Sequence, residues 1–283
     1  MPVDREPLGA PGAYGADRVF VRIALEGAAP PAPAPDGTPA HALLDALAAA
    51  GHPVLRFTLG DPIDLAGEFL RWEIATAIAG IVLRVNPFDE PNVTESKENT
   101  KRVLEELEHH GAFPREEPLA SENGIALHGD TALRLTAGDG SVVGELRRHL
   151  ERVRPGGYLA IGAFVAPTAG RADAIDRLRG HLRDATGLAT TGGFGPRYLH
   201  STGQLHKGGP ATGWFLQITS DHPADLPVHG KPYTFGQLVD AQARGDMEAL
   251  EAHDLPVLRV HLGADVDAGL AALDAAVAEA VRQ

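Results

Sequence analysis

The stretch Tyr158-Leu-Ala-Ile-Gly-Ala-Phe-Val165 lies in the most regular part of the chain and is predicted to form a strand. Beyond it, the pattern predicts helices over 172–186, 235–249 and from Asp265, and strands over 188–191, 214–219 and 257–262. Strands that alternate with helices imply crossover connections and a mostly parallel sheet. The sequence therefore predicts an α/β fold, a three-layer αβα sandwich.

The N-terminal part continues the alternation less regularly. The pattern predicts a strand over 17–25, a Pro/Ala-rich loop up to residue 39, a helix over 40–50, a strand over 52–59 and a helix from Asp64 to about Leu83. In this last helix Leu65, Phe69, Trp72 and Ala79 share one broad stripe, which is predicted to face the core.

One segment departs from the helix and strand alternation. Apolar residues alternate briefly around Gly-Asp turns over 112–140, including Ala132-Leu-Arg-Leu-Thr136, and this predicts a small inserted hairpin. Residues 1–283 are otherwise predicted to form a single domain, with residues 1–39 supplying a strand and the Pro/Ala-rich loop.

The bulk composition excludes several classes of function. The 283 residues carry a formal net charge of -13, which argues against a nucleic-acid partner. The absence of cysteine excludes disulfides and thiolate chemistry. No apolar run reaches the roughly 20 residues that span a bilayer, and the N-terminus lacks the regions of a signal peptide. We therefore expect a cytoplasmic protein with no membrane partner.

A first motif, Asn86-Pro-Phe-Asp-Glu-Pro-Asn-Val-Thr-Glu-Ser-Lys97, joins two predicted helices. Pro91 interrupts the preceding pattern and Asn92 is a reasonable N-cap for the next helix. Composition alone is satisfied by an ordinary loop between two helices, with Lys97 in solvent. Only the whole string from Asn86 to Lys97, and no single residue in it, suggests a functional site instead of an ordinary loop.

A second motif, Tyr198-Leu-His-Ser-Thr-Gly-Gln-Leu-His-Lys-Gly-Gly209, follows a predicted strand. His200 and Ser201 are adjacent, but neighbouring side chains rarely face each other and no third group orients them, which argues against hydrolase chemistry. His200 and His206 do not have a recognisable metal-ligand spacing. Lys207 and the two glycines after it could approach a phosphate through backbone amides, although a glycine pair alone is a weak signal.

Together the two motifs resemble glucose-6-phosphate isomerase, and most closely the isomerase part of bifunctional transaldolase/glucose-6-phosphate isomerase proteins. The first matches the family's segment N-P-F-D-Q-P-x-V-x-x-x-K, and Leu199 to Gln204 match its segment L-H-S-x-G-Q. Similarity extends over nearly the whole chain except the predicted hairpin. The resemblance implies a sugar-isomerase (SIS-like) fold and a role in carbohydrate metabolism, in glycolysis and gluconeogenesis.

The resemblance also implies roles for particular residues. Aldose–ketose isomerisation opens the sugar ring and then moves a proton between adjacent carbons through an enediol. His200 matches the residue that assists ring opening, and Lys97 matches the lysine that donates toward the ring oxygen. The residues implied to bind the sugar phosphate are Glu90, Ser201, Gln204 and Lys207. No metal and no other cofactor is implied.

Three departures from the family pattern limit this expectation. Glu90 stands where the family has glutamine, and a carboxylate there repels an anionic intermediate. The family's proton-shuttling glutamate, in an E-S-x-G-K segment, and its first SIS domain precede the part that this sequence matches. The resemblance therefore implies an isomerase that is inactive as the isolated chain and that needs a separate N-terminal half, with that half or a transaldolase as protein partner. A non-catalytic sugar-phosphate-binding or scaffold module is the alternative, and Glu90 favours it.

Overall fold

A computed structural model of the chain describes residues 3–4, 6–29, 37–89, 91–200 and 202–282. Where the sequence predicts a single domain, the structure has two compact units. The larger unit comprises Met1–Glu6 and Pro91–Gln283, and the smaller unit comprises Pro7–Glu90.

The strands are β1 (Phe20–Leu25), β2 (Val54–Leu59), β3 (Ala120–Glu122), β4 (Ile125–Gly129), β5 (Tyr158–Ala163), β6 (Ala189–Phe194), β7 (Gly213–Thr219) and β8 (Val257–His261). The α-helices are α1 (Ala40–Ala49), α2 (Leu65–Leu83), α3 (Pro91–His110), α4 (Thr131–Arg134), α5 (Val142–Leu150), α6 (Ala169–Thr186), α7 (Gly203–Gly208), α8 (Phe235–Ala252) and α9 (Val266–Ala280). Short 3₁₀ helices span Pro11–Ala13, Pro62–Asp64 and Arg197–His200.

The larger unit is built on a six-stranded sheet in the order β3-β4-β8-β7-β5-β6. Strands β8, β7, β5 and β6 are parallel, whereas β4 is antiparallel to β8 and β3 is antiparallel to β4. The parallel strands are connected through helices, as crossover units require. The prediction of an α/β fold with a mostly parallel sheet is confirmed.

The predicted hairpin is present, but it is shorter than predicted and it extends the main sheet. Asn123 and Gly124 both have positive φ, 52° and 80°, which is the conformation that a two-residue hairpin turn needs. The prediction of strand structure over 132–136 is wrong, because Asp130 caps a helical turn there by accepting a hydrogen bond from the Leu133 amide at 3.0 Å.

The two faces of the sheet bury different helices. Leu159 and Ile161 of β5 belong to a large apolar core with residues of α5, α6 and α9. Tyr158 and Ala160 point to the opposite face, where a smaller core contains Met247 of α8. Because side chains alternate along a strand, one run of sequence supplies both faces of the central layer.

Helix α3 packs against α8 through a close approach of the two backbones. A Cβ at Gly245 would lie 2.9 Å from the Thr100 nitrogen and 3.2 Å from the Asn99 carbonyl carbon. The Asn99 side-chain amide also donates to the Gly245 carbonyl at 3.4 Å. Glycine at this position therefore sets how closely the two helices can meet.

The smaller unit has a modest core of its own. Strands β1 and β2 form a two-stranded parallel sheet, with α1 as the connection between them. Tyr14, Leu44 and Leu47 are its buried apolar residues, and the Tyr14 ring meets the Phe20 ring edge-on at 4.9 Å. This core buries Leu44 and Leu47 of α1 and leaves α2 largely exposed.

The prediction that Leu65, Phe69, Trp72 and Ala79 face a core is wrong within the described residues. Their helix forms as predicted, but Phe69 is 61% exposed, Leu65 44% and Trp72 40%, and Ala79 is exposed as well. The described elements of the smaller unit are too few to cover both helices.

None of the helices in the described ranges is long and apolar enough to cross a membrane.

Replacing Gly245 by alanine is expected to lower the free energy of unfolding by about 1–3 kcal/mol, because the added methyl group forces α3 away from α8. Gly180, in the interior of α6, has nothing within 4 Å of its would-be Cβ and is the matched control. Gly180→Ala is expected to stabilise by roughly 0.5–1 kcal/mol through a less flexible unfolded chain. Chemical denaturation measures both, and equal effects of the two substitutions would contradict the close packing.

Candidate functional site

The two sequence motifs meet in the larger unit, where the first turns of α3 contact α7. The Asn92 backbone amide donates to Gln204 Oε1 at 3.0 Å, and Gln204 Nε2 donates in return to Asn92 Oδ1 at 2.9 Å. A Cβ at Gly208 would lie 2.5 Å from Asn92 Oδ1, so the two hydrogen bonds between Asn92 and Gln204 need glycine at that position. Residues 112 positions apart are thereby held side by side.

The start of α3 is also tied to the end of α8. Glu95 Oε2 accepts hydrogen bonds from Asn92 Nδ2 at 3.1 Å and from His253 Nε2 at 3.0 Å. Burial acts to raise the pKa of Glu95, but the hydrogen bonds from His253 and Asn92 outweigh burial and lower it. The carboxylate therefore stays ionised and keeps the first turn of α3 in place.

A buried ion pair lies beneath these contacts. The Lys207 ammonium donates to Asp246 Oδ1 at 2.5 Å and to Ser96 Oγ at 2.8 Å. The Lys207 and Asp246 side chains are only 1% and 2% exposed. Through this pair, α7 is bound to α8 and α3 at one point. An ion pair this deeply buried is costly to break, because either partner alone is an uncompensated charge.

Besides Lys207, Asp246 has a second partner in the second motif, Tyr198. The Tyr198 hydroxyl donates to Asp246 Oδ2 at 2.5 Å. Burial, followed by the negative charge of Asp246, raises the pKa of Tyr198 well above its ordinary value, so the hydroxyl remains a donor. Gly162 and Gly193 make room for the ring, since a Cβ at either would lie within 2.8 Å of Tyr198 atoms.

His206 occupies a neighbouring buried position. Its Nδ1 lies 2.8 Å from the Tyr158 hydroxyl, and the two rings are stacked with centroids 5.5 Å apart. Burial lowers the pKa of His206 to about 4, although the charge of Asp246 acts in the opposite direction. The imidazole is therefore neutral at physiological pH and serves as a structural partner of Tyr158.

The two predicted catalytic residues lie on the exposed side of this network. His200 is the last residue of the 3₁₀ helix that contains Tyr198, and its side chain is exposed. Lys97 follows the buried Ser96 on α3, and its side chain is exposed too. The buried Ser96 and the half-buried Tyr198 hold the two segments, so Lys97 and His200 present an ammonium and an imidazole to solvent from anchored backbone.

The residues predicted to bind substrate have different positions. Glu90 and Ser201 lie outside the described residues. Gln204 is partly buried and uses both ends of its amide on Asn92. Lys207 differs from the expectation of a phosphate contact, because it is buried and its ammonium faces Asp246 and Ser96. We assign Gln204 and Lys207 to holding the site together.

Sequence reasoning missed the residues around the Lys207 ammonium: Asp246, Ser96 and, through Asp246, Tyr198. Asp246 lies in a helix whose buried face includes Ala243 and Leu250. A carboxylate among apolar positions of that face was the available signal. Its partners, 39 and 48 residues away, could not be read from the local pattern.

No group of histidine, cysteine, aspartate and glutamate side chains in the described part of the chain could hold a metal ion.

No protein-family model and no curated protein matches the chain. Among solved structures, the chain is similar to a hypothetical protein from Thermus thermophilus at 13% identity, with a TM-score of 0.41. That match covers 87% of this chain and 54% of the other, so the chain spans about half of its length. A likeness at this level says nothing about function.

Lys207→Met is expected to lower the free energy of unfolding by about 3–5 kcal/mol, because it leaves the buried Asp246 carboxylate without its ammonium. Adding Asp246→Asn to Lys207→Met is expected to recover on the order of 2 kcal/mol, since the amide carries no charge to compensate.

The matched control for that experiment is Lys101→Met on the exposed face of α3. Lys101 pairs with Glu105 at 3.6 Å in solvent, and its loss is expected to change the free energy of unfolding by less than about 1 kcal/mol. Denaturant titration of wild type and these three variants compares the effects. A loss in Lys207→Met no larger than in Lys101→Met would contradict a structural role for the buried pair.

Proposed function

We propose that this chain is the C-terminal part of a glucose-6-phosphate isomerase, which interconverts glucose 6-phosphate and fructose 6-phosphate together with a separate N-terminal half. The observation that carries the proposal is the meeting of the two motifs at α3 and α7, with Lys97 and His200 exposed above a buried network. A loop between helices, taken alone, does not require this junction of the two motifs.

The chemistry of the reaction gives each exposed group a task. His200 takes the proton from the hydroxyl at the anomeric carbon as the ring opens, because histidine is the side chain that most often acts as a general base. Lys97 donates toward the ring oxygen and offsets the negative charge that develops there. Neither group moves the carbon-bound proton between C1 and C2. We assign that step to a glutamate of the N-terminal half.

The smaller unit supports the need for a second polypeptide. Its two-stranded sheet has one outer edge on β1 and one on β2 without a strand partner in the described residues. Its exposed apolar side chains include Ile81 at 77% and Phe88 at 85%. Parallel sheets are ordinarily covered on both faces, and an isolated pair of strands is marginally stable. An exposed apolar surface of this kind favours a protein partner.

A coupled assay that follows glucose 6-phosphate formation from fructose 6-phosphate tests the proposal. The isolated chain is expected to be inactive, and the chain mixed with the product of the adjoining upstream reading frame is expected to be active. In the mixture, His200→Ala is expected to reduce kcat by about 100- to 10,000-fold, the range for loss of a general acid or base. Lys101→Gln, one turn beyond Lys97 on the same helix, is the control and is expected to retain full activity.

Two results would contradict the proposed function. Activity of the isolated chain that disappears in His200→Ala would place the carbon-directed base within this chain. Saturable binding of fructose 6-phosphate by an inactive mixture would favour the alternative, a non-catalytic sugar-phosphate-binding module. Thermal-shift titration with fructose 6-phosphate, run on the same samples, separates these results.

A further inference from the structure

A polar cavity lies apart from the elements that carry Lys97 and His200. It encloses about 230 Å³ and is lined by side chains that include Glu116, His128, Thr219, Arg244, Arg259 and His261. Thr219 and His261 are the last residues of β7 and β8, so the cavity opens at the carboxyl end of two parallel strands. Ligands of open α/β sheets commonly bind at this end.

The sheet carries an unusual row of polar side chains beside this cavity. His128 is paired in register with Arg259, and Arg259 is paired with Gln217. Two residues earlier on the same face, Phe215 and Val257 belong to the apolar core under α8. Along each of these two strands, the residues on this face change from apolar to polar toward the cavity. Arginine and glutamine are rarely buried in an ordinary apolar core, so packing alone does not explain them here.

The charges around the cavity do not balance. The Glu116 carboxylate accepts from Arg259 at 2.7 Å, from Arg134 at 3.1 Å and from Arg244. Three guanidinium groups therefore share one carboxylate. Asp240, also in the wall, is hydrogen-bonded to His222 at 2.9 Å. Partly buried positive charge that exceeds the negative charge near it is stabilised by a further anion.

The ionisation of the wall agrees with an excess of positive charge. Burial acts to raise the pKa of Glu116, but the charges of Arg259 and Arg244 outweigh burial and lower it. Burial, followed by the charge of Arg259, lowers the pKa of His128 to about 4. At neutral pH the carboxylate is ionised and His128 is a neutral imidazole. The formal net charge of the three arginines, Glu116 and Asp240 is therefore +1.

The wall also contains a polar atom that lacks a partner. His128 Nδ1 is buried and has no hydrogen bond to any described residue. Glu116 Oε2 lies 3.8 Å from it, which is beyond hydrogen-bonding distance. Buried polar atoms are nearly always paired, so this unpaired nitrogen shows that the wall is not packed as an ordinary core.

We propose that this cavity binds a small phosphate-type oxyanion, held by Arg244 and Arg259. Guanidinium groups match the geometry of phosphate oxygens, and their charge-assisted hydrogen bonds are among the strongest available. The volume is below the roughly 300 Å³ of the smallest pockets for drug-sized ligands, which limits the ligand to a small molecule.

The proposal goes beyond the proposed isomerase function and does not rest on it. The residues that it uses lie on β4, β8, α8 and the segment before β3. None of them is Lys97, His200 or a member of the network beneath those two residues. The experiment separates the two sites by including a variant of Lys97.

Isothermal titration of the full chain with inorganic phosphate at constant ionic strength tests the inference. The wild-type chain is expected to bind one phosphate saturably. Arg244→Gln is expected to weaken binding about 10- to 100-fold, through the loss of charge-assisted hydrogen bonds. Glu116→Gln is expected to bind more tightly than wild type, because the carboxylate that competes for the guanidinium groups is neutralised. Lys97→Gln is expected to bind as wild type does.

Three results would overturn the inference. They are the absence of saturable binding to the wild-type chain, equal affinity of Arg244→Gln and wild type, and loss of binding in Lys97→Gln alone. The last result would place the phosphate at the proposed isomerase site. Thermal unfolding of each variant establishes that it is folded, and Arg244 is chosen over the more deeply buried Arg259 for this reason.

Discussion

A buried ammonium and a buried carboxylate, those of Lys207 and Asp246, meet where α7, α8 and α3 converge, and the arrangement of the site depends on this pair. Neither charge can leave the other without remaining unpaired in the interior, which makes separation of the three helices costly. Ser96 and Tyr198 complete the pair from the segments that carry Lys97 and His200. The close contacts at Gly162, Gly193 and Gly245 allow the surrounding elements to approach the pair.

The sequence predicts the central layer of the larger unit well, because β5, β7 and β8 are mainly apolar and helices of regular period lie between the strands. It predicts burial poorly for α2, whose stripe of Leu65, Phe69 and Trp72 has the spacing of a core face but no described layer to cover it. The spacing of apolar residues predicts that a helix has an apolar side. It does not predict what that side contacts. The local sequence pattern could not predict the role of Lys207 either, because its partner Asp246 is 39 residues away.

The same reasoning explains which parts of the candidate site could be found in advance. Lys97 and His200 stand in strings distinctive enough to suggest a chemistry, whereas the residues that hold them in place are ordinary in composition. Asn92 and Gln204 become a pair only once α3 and α7 are in contact. The Glu116 cluster depends on the pairing of β4 with β8, which brings His128 beside Arg259. Long-range pairing of strands therefore creates a polar site that no short stretch of sequence contains.

The most direct test of this account is amide hydrogen exchange of α7 in the wild-type chain and in Lys207→Met, followed by mass spectrometry. If the buried pair holds α7 in place, the amides of Gly203–Gly208 exchange at least about 100-fold faster in the variant, since local opening now releases an uncompensated Asp246. The amides of β5 change less, and Lys97→Gln leaves α7 as protected as it is in the wild type. Unchanged protection of α7 in Lys207→Met would contradict the claim that this ion pair organises the site.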